Sequence, residues 1–187
     1  MIRIGTRRAI AIRTGLAVAA LTSATVLAGC SAGQVSQVAT QAPAVNGTEA
    51  SVGTDPQIVL RNLHLQVEQT GDEVKPGASV ALMFTAINEA ITGEDSLVAI
   101  TSPVGEVSVT SPALPIKIGP SESLMVGDPH GATELGKVEG LKKAEAQVKL
   151  SKPISNGLTY DFTFTFDKGG DVTVAVPISA GNAPRQP

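Results

Sequence analysis

Residues 158–178 read LTYDFTFTFDKGGDVTVAVPI, and this stretch decides the fold class. Its first half places Leu158, Tyr160 and then phenylalanines at every second position, with Thr or Asp between them. Alternation of apolar and polar residues is what a β-strand with one buried face requires. Residues 172–178 repeat the pattern with Val and Ile, after the turn-forming residues DKGG at 167–170. The stretch therefore predicts a β-hairpin, whose second strand ends or lies at a sheet edge at Pro177, which has no backbone N–H.

Weaker signals of the same period precede the hairpin. Short apolar runs, separated by stretches rich in Gly and Pro, occur at 58–67, 79–87, 97–101, 106–110, 123–126 and 144–150. No window of useful length keeps the 3.6-residue apolar period of a helix. Seven or eight short strands in about 125 residues predict an all-β, immunoglobulin-like or cupredoxin-like Greek-key β-sandwich.

The composition excludes several classes of function. The chain of 187 residues has one Cys and two His, so it has no internal disulfide, iron–sulfur cluster or CxxC pair. The sequence also lacks the motifs of serine hydrolases, zinc proteases, nucleotide-binding loops and EF-hands. We therefore predict that the protein is not an enzyme and has no catalytic residue and no cofactor.

The amino terminus has the organisation of a bacterial export signal. Four arginines precede an apolar run at 16–27, which is too short for a membrane-spanning helix. The run ends at Leu27-Ala28-Gly29-Cys30, which resembles the lipobox of bacterial lipoproteins. In a lipobox a diacylglyceryl group, with palmitate as the expected acyl chain, is attached to the cysteine thiol, and cleavage makes that cysteine the first residue. Cys30 is therefore the predicted lipidation site; the alternative is an incidental buried thiol.

The predicted domain organisation follows from these signals. Residues 1–29 are the signal peptide, 30–55 a lipidated flexible tether, 56–180 the β-sandwich domain and 181–187 a disordered tail. The predicted location is the extracytoplasmic face of the cell membrane, with the acyl chains in the lipid. Removal of the signal takes away four of the 14 basic residues and none of the 17 acidic ones, so the net charge falls from −3 to about −7. This charge argues against binding to nucleic acid.

Two histidines could contribute to a metal site. His64 lies in a strand-like run, on the face opposite Leu63 and Leu65, and we interpret it as a solvated or hydrogen-bonded strand histidine. Asp128 and His130 fall in a predicted turn, and the neighbouring sequence supplies no third or fourth ligand. No metal site is predicted from these residues.

The methionines and the acidic pairs have simpler interpretations. Met83 and Met125 fall on predicted strands and are interpreted as packing residues. The acidic pairs at 72–73 and 94–95 lie beside predicted turns and are interpreted as solvated charge. Neither group predicts a chemical function.

Two stretches resemble the PCuAC family of periplasmic copper chaperones, whose fold is a cupredoxin-like β-sandwich. Residues 95–103, DSLVAITSP, are similar to the family's D-x-L-V-x-x-x-S-P. Residues 150–178 are similar to its L-x-x-P-L…G…L-x-F…G-x-V-x-V-x-V-P-V ending. The resemblance covers about residues 58–179 and implies the same fold.

The resemblance also implies the loss of a metal site. The PCuAC family holds Cu(I) with Met sulfur and His nitrogen, in one pair after the first motif and one pair before the second. The corresponding positions here are Thr110 and Pro112, and Ala144 and Ala146, none of which can ligate copper. The fold would be kept and the copper site lost.

Nearly the whole chain after the signal is similar to the LpqE family of actinobacterial lipoproteins. The similarity is carried by AGCSAGQ, PAVNG, KPISNGLTY and VPISAG, at 28–34, 43–47, 152–160 and 176–181. It implies a non-catalytic lipoprotein that accompanies the cytochrome bcc–aa3 respiratory supercomplex on its outer face. The implied partners are membrane lipid, through Cys30, and subunits of that supercomplex.

Other functions stay open beside this one. The first alternative is a copper-handling envelope protein that uses His64, His130, Met83 or Met125 in a new arrangement. The second is an envelope protein that binds a lipid or small ligand inside the sandwich, which its few aromatic residues would permit. An enzyme of a new type comes last.

Overall fold

The hairpin at 158–178 is one part of an all-β fold. The computed structural model describes residues 47–54, 57–67, 73–127 and 138–179, and these ranges contain twelve β-strands and no helix. In chain order the strands are β1 (Thr48–Val52), β2 (Ile58–Gln66), β3 (Glu73–Val74), β4 (Ser79–Asn88), β5 (Asp95–Thr101), β6 (Gly105–Thr110), β7 (Ile116–Ile118), β8 (Ser123–Val126), β9 (Leu141–Leu150), β10 (Ile154–Ser155), β11 (Thr159–Phe166) and β12 (Gly170–Ser179). Strands β2, β4, β5, β6, β8 and β9 confirm the six weaker runs.

The hairpin has the alternation that its sequence predicts. β11 and β12 pair in antiparallel register, with Phe162 opposite Val174. Phe162, Phe164 and Phe166 are buried in the core, which confirms the predicted buried face. Leu158 differs from this prediction, because it precedes β11 and is 56% exposed.

Pro177 marks a change of partner in β12 and not its end. The residues before it pair with β11, whereas Ile178 and Ser179 pair in parallel with Leu65 and Gln66 of β2. A residue without an N–H is tolerated where a ladder is interrupted in this way. The last strand therefore joins the two halves of the sheet.

The sheet curls so that its two halves enclose one core. Its order is β6-β9-β8-β4-β2-β12-β11-β5-β7, with β1 added to β2, and β3 and β10 form a separate two-stranded sheet. Phe84 of β4 and Phe164 of β11 meet edge to face across the core, with ring centroids 5.2 Å apart and ring planes at 76°. The arrangement confirms the predicted all-β sandwich class.

β1 corrects the predicted boundary between the tether and the domain. Residues 48–52 belong to the predicted tether, yet they pair with β2, with Val52 opposite Ile58. Gly47 approaches β2 so closely that a Cβ there would lie 2.5 Å from the carbonyl carbon of Asn62. The segment TEASV is too short and too polar for a periodic signal, and it becomes a strand because β2 offers it an edge. The signal peptide and the 181–187 tail lie outside the described residues.

Three further strands were also not predicted. β3 and β10 have two residues each and β7 has three. Strands of this length carry no measurable alternation. They depend on the pairing of β3 with β10 and of β7 with β5, which the tertiary structure provides.

Candidate functional site

Some of the residues singled out from the sequence lie outside the described part of the chain. They are Cys30, the predicted lipidation site, and Asp128 and His130. The statements made above about these three residues stay predictions. Within the described ranges, no group of three or more His, Cys, Asp and Glu side chains is placed to hold a metal ion.

His64 is a buried, hydrogen-bonded strand histidine, one of the two environments expected for it. Its side chain is 7% exposed, and Leu63 and Leu65 on the opposite face are fully buried. Nδ1 lies 2.8 Å from the carbonyl oxygen of Asn62. A carbonyl oxygen accepts only, so Nδ1 donates its proton and Nε2 of the neutral ring keeps its lone pair. Burial lowers the pKa of His64, and the hydrogen bond to Asn62 opposes this in part.

An irregularity in β2 sets the direction of the His64 side chain. The register between β2 and β4 shifts between Arg61 and His64, and Asn62 adopts a left-handed φ of 54°. Asn tolerates this conformation better than most residues, and bulges redirect the side chains next to them. The Asn62 carbonyl is thereby within hydrogen-bonding distance of the His64 ring.

The methionine sulfurs do not converge on this ring. Met83 lies directly opposite His64 in the β2–β4 pair. Its Sδ, however, lies over Gly127, where an added Cβ would overlap it. Gly127 follows β8, which flanks β4 on the side away from β2, so the sulfur is directed away from the imidazole. Met83 is buried and Met125 is half-buried, as expected for packing residues.

The positions equivalent to the PCuAC copper ligands lie on, or next to, two paired strands. Val109 of β6 lies opposite Ala146 of β9, and Thr110 is the next residue of β6. Ala144 and Ala146 are buried in the hydrophobic core, and Pro112 lies in an exposed loop. The fold brings these positions into one region, but the alanines have no atom that could ligate Cu(I).

Asp95 is buried, which corrects its interpretation as solvated charge. Its side chain is 1% exposed. Oδ1 accepts the backbone N–H groups of Ser96 at 2.7 Å and Lys168 at 2.9 Å, and Oδ2 accepts that of Gly169 at 2.8 Å. The carboxylate therefore ties the start of β5 to the turn between β11 and β12. This explains the Asp of the DSLVAITSP motif in structural terms.

Three loops at one end of the domain, 89–94, 119–122 and 138–140, are together called the tip below. The backbone N–H of Ser121 donates to Ala90 O at 3.0 Å, and that of Ser123 donates to Gly140 O at 2.8 Å, so the three loops are neighbours. Ile91 is 88% exposed and Val138 is 50% exposed. The tip therefore presents two large apolar side chains to solvent, neither of which lies in a periodic apolar run of the sequence.

A buried amide holds the base of the first loop. Asn88 is fully buried. Its Nδ2 donates to the carbonyl oxygens of Gly93 at 3.1 Å and Ile118 at 3.2 Å, and its Oδ1 accepts the N–H of Ala90 at 3.0 Å. These three bonds fix both ends of the turn that carries Ile91.

Glutamates surround the apolar residues of the tip. Glu94 pairs with Lys117 at 2.7 Å and Glu122 pairs with Lys142 at 2.5 Å. The hydrogen bond from Lys117 lowers the pKa of Glu94, and those from Lys142 and the Gly119 N–H lower the pKa of Glu122. A surface depression of about 310 Å³ adjoins the first loop and is lined by Thr54, Gln57, Glu89, Ala90, Ile91 and Thr92.

Solved structures that share this fold are PCuAC domains. The copper-bound PCuAC domain from PmoF2 superposes with a TM-score of 0.52 at 21% identity, covering 71% of this chain and 98% of that domain. The apo PCuAC domain from PmoF1 gives 0.51 at 18% identity, covering 71% and 99%. These likenesses confirm the fold that the PCuAC resemblance implies. Among the described residues, none forms a helix long and apolar enough to cross a membrane.

Sequence relatives cover most of the chain. Proteins described as "Putative lipoprotein LpqE" from Mycobacterium tuberculosis and Mycobacterium bovis are 44% identical over 161 residues, 86% of this chain and 85% of theirs. The Mycobacterium leprae protein of the same description is 45% identical over 168 residues, 87% and 86% of the two chains. The family profile "Putative lipoprotein LpqE-like" matches residues 58–178. The chain therefore belongs to the LpqE-like family, as its lipobox, KPISNGLTY and VPISAG segments predict.

Proposed function

We propose that this protein is a non-catalytic, lipid-anchored accessory subunit on the outer face of the cytochrome bcc–aa3 respiratory supercomplex. The observation that carries the proposal is the tip, where Ile91 is 88% exposed on a loop that is hydrogen-bonded at Ala90 and Gly93 to the buried side chain of Asn88. A rigid loop with an exposed apolar side chain is suited to contact with another protein. Membership of the LpqE-like family supports the proposal, because that family resemblance implies the respiratory partner.

The anchor in this proposal is Cys30. Acyl chains on its thiol contribute about 0.8 kcal/mol per buried CH₂, so two or three chains give lasting attachment to the bilayer. The relatives from mycobacteria are described as lipoproteins, which supports the same attachment here. The β-sandwich then stands on the extracytoplasmic side, at the surface where loops of integral membrane proteins emerge.

The contact with a partner is the second part of the proposal. Single exposed apolar residues are common on protein surfaces, but Ile91 and Val138 lie on adjacent loops of one end. Apolar anchors of this kind, surrounded by polar residues, carry most of the binding energy in many interfaces. The tip is therefore the surface at which we place the partner.

Affinity purification of the tagged full-length protein from membranes tests the proposal. We expect cytochromes a, b and c in the absorption spectrum of the purified sample, and oxidase and reductase subunits among the identified proteins. The Cys30→Ala variant with the same tag is the control, and it is expected to lose both membrane attachment and haem. Recovery of no more haem than with this control would refute the assignment to the supercomplex.

A copper-handling role is the second candidate function. The observation in its favour is that Nε2 of His64 keeps a free lone pair and Met83 lies opposite it in register. A neutral imidazole and a thioether suit Cu(I), although Met83 Sδ would have to leave its place over Gly127. Titration of the full-length protein with Cu(I) against a competing chelator tests this role, with His64→Ala as the matched variant. Binding that is micromolar or weaker and not stoichiometric, or equal in both proteins, would eliminate it.

A further inference from the structure

We propose that the tip binds an extracytoplasmic loop of an integral membrane protein in which an apolar side chain is flanked by Lys or Arg. This inference rests on the proposed function, which places the partner at the tip, and adds to it the chemistry of the segment bound. The kind of segment that the tip binds is inferred from its apolar residues, its charge, its rigidity and its orientation.

The apolar part of the surface consists of Ile91 and Val138. Their exposed fractions are 88% and 50%, and the loops that carry them are both hydrogen-bonded to the turn around Ser121. Beside Ile91 lies the depression of about 310 Å³, which has room for a side chain. Burial of apolar side chains of this size against a partner stabilises the complex. An apolar residue of the partner could therefore pack against Ile91 and into this depression.

The charge of the tip indicates which residues flank the apolar side chain of the partner. Its three loops contain four Glu and neither Lys nor Arg. Glu94 and Glu122 are neutralised by Lys117 and Lys142, which belong to β7 and β9. Glu89 and Glu139 take part in none of the ion pairs formed among the described residues. Two carboxylates that have no ion pair with another described residue, one beside each exposed apolar residue, favour a cationic partner segment.

The tip needs little reordering to bind. Asn88 fixes the loop of Ile91 through three hydrogen bonds. The Ser121 N–H bond to Ala90 and the Ser123 N–H bond to Gly140 fix the other two loops against it. Loops that are ordered before binding lose less conformational entropy on association, which raises affinity for a given contact area.

The direction of the chain favours a protein over the bilayer as the occupant. Val52 lies opposite Ile58, and Ile58 lies opposite Asn88 at the base of the tip. β1 begins at the other end of this ladder, so the chain from Cys30 joins the domain about 15 Å behind the tip. In the sequence, 17 residues separate Cys30 from Thr48, the first residue of β1. The chain therefore enters β1 from the end away from the tip, which favours a protein over the bilayer as the occupant of the tip.

A photoreactive amino acid in place of Ile91 tests the inference in membranes that contain the full-length, lipidated protein. Leu158 is the matched control position, because it is also apolar, 56% exposed and at the opposite end of the sandwich. After irradiation, mass spectrometry identifies the peptide cross-linked at each position. We expect position 91 to cross-link to a loop segment with an apolar residue next to Lys or Arg, and position 158 not to reach that segment.

The outcomes separate this inference from the proposed function. A cross-link to a segment of a bcc–aa3 subunit that is both basic and apolar supports the inference and the proposed function. A cross-link to such a segment in another membrane protein supports the inference about the tip and refutes the assignment to the supercomplex. Cross-links to lipid, to an acidic or uncharged segment, or to no protein overturn the inference. Equal cross-linking of one segment from positions 91 and 158 overturns it too.

Charge reversal supplies an independent measurement. Glu89→Lys combined with Glu139→Lys, added to the protein with the photoreactive group at position 91, should lower the cross-linking yield about tenfold, which corresponds to about 1.4 kcal/mol. Glu106→Lys, an exposed glutamate on β6, is the matched control and should leave the yield unchanged. An unchanged yield in the double variant, in protein with the wild-type melting temperature, would overturn the charge argument and with it the inference.

Discussion

Asp95 Oδ2 accepts the backbone N–H of Gly169 at 2.8 Å, across 74 residues of sequence. Through this bond and the one from Lys168 N–H, a buried carboxylate closes the β11–β12 turn against the start of β5. Hydrogen bonds to a charged group contribute more than those between neutral groups. The turn residues DKGG are therefore held by tertiary contact as well as by their own conformational preference.

Removal of this carboxylate should destabilise the protein strongly. Asp95→Ala leaves three backbone N–H groups without their acceptor, and we expect a loss of about 3–5 kcal/mol in the free energy of unfolding. Urea unfolding followed by far-UV circular dichroism measures it. Glu94→Ala is the matched control, since its carboxylate is exposed and pairs with one lysine only. Equal stabilities of the two variants would contradict the role assigned to Asp95.

The contact between Phe84 and Phe164 should link the two halves of the curled sheet energetically. Phe84→Ala and Phe164→Ala should each cost about 3–5 kcal/mol, because each leaves a cavity in the core. A double-mutant cycle should then give a coupling energy of about 0.5–1.5 kcal/mol from the edge-to-face geometry. Strict additivity of the two effects would mean that the rings do not interact beyond their separate burial.

Gly127 should tolerate no side chain while Met83 is present. Gly127 has φ +84°, and an added Cβ would overlap Met83 Sδ. Gly127→Ala should therefore destabilise the fold by about 2–4 kcal/mol, from backbone strain together with overpacking. Gly157→Ala separates the two causes, because Gly157 has φ +78° and open space around its Cβ position.

A compensating change tests the steric part of this argument. Met83→Ala removes the sulfur that the new methyl group would meet, so Gly127→Ala should cost less in that background. Thermal unfolding of the four proteins of the cycle measures the difference. If Gly127→Ala lowers the stability by the same amount with and without Met83, the overlap with the sulfur is not the cause of the destabilisation.

His64 should make stability depend on pH in the weakly acidic range. Burial lowers the pKa of His64 in the folded state below its ordinary value of 6.5. The unfolded chain therefore binds the proton more readily, and the free energy of unfolding should fall as the pH decreases from 6.5 toward the folded pKa. The slope from one such group is at most about 1.4 kcal/mol per pH unit.

Two variants isolate this dependence. His64→Gln should abolish the slope between pH 7 and pH 5, whereas His130→Gln should retain it. The lowered pKa values of Glu94 and Glu122 act in a more acidic range, where their lysine pairs are lost as the carboxylates become protonated. A slope that survives in His64→Gln would assign the effect to another group.

Local patterns in the sequence were sufficient for most strands, and the predictions of the export signal and the lipobox rest on patterns of the same local kind. Cys30 is recognised from its neighbours alone, and the alternation from Tyr160 to Phe166 predicts one buried face without knowledge of its partner. The motif residues of the PCuAC resemblance also predict the fold from local patterns, because each is typical of a strand or a turn.

The features that the sequence did not predict depend on contacts between residues distant in the chain. The sequence predicts solvated charge at Asp95, and this is wrong because two of its three hydrogen-bond donors lie 73 and 74 residues away. β1 has no signal of its own and exists because β2 offers an edge. Pro177 ends no strand because β12 changes partner there.

The sequence by itself determined the all-β class and the absence of ligating side chains at Thr110, Pro112, Ala144 and Ala146, and it predicts the anchor at Cys30, because these depend on residue type and local spacing. Only the tertiary structure decided that Met83 Sδ points away from His64 and that Ile91 and Val138 share one end of the domain. Strand order and side-chain direction set these relationships, and both arise from packing between residues distant in the chain.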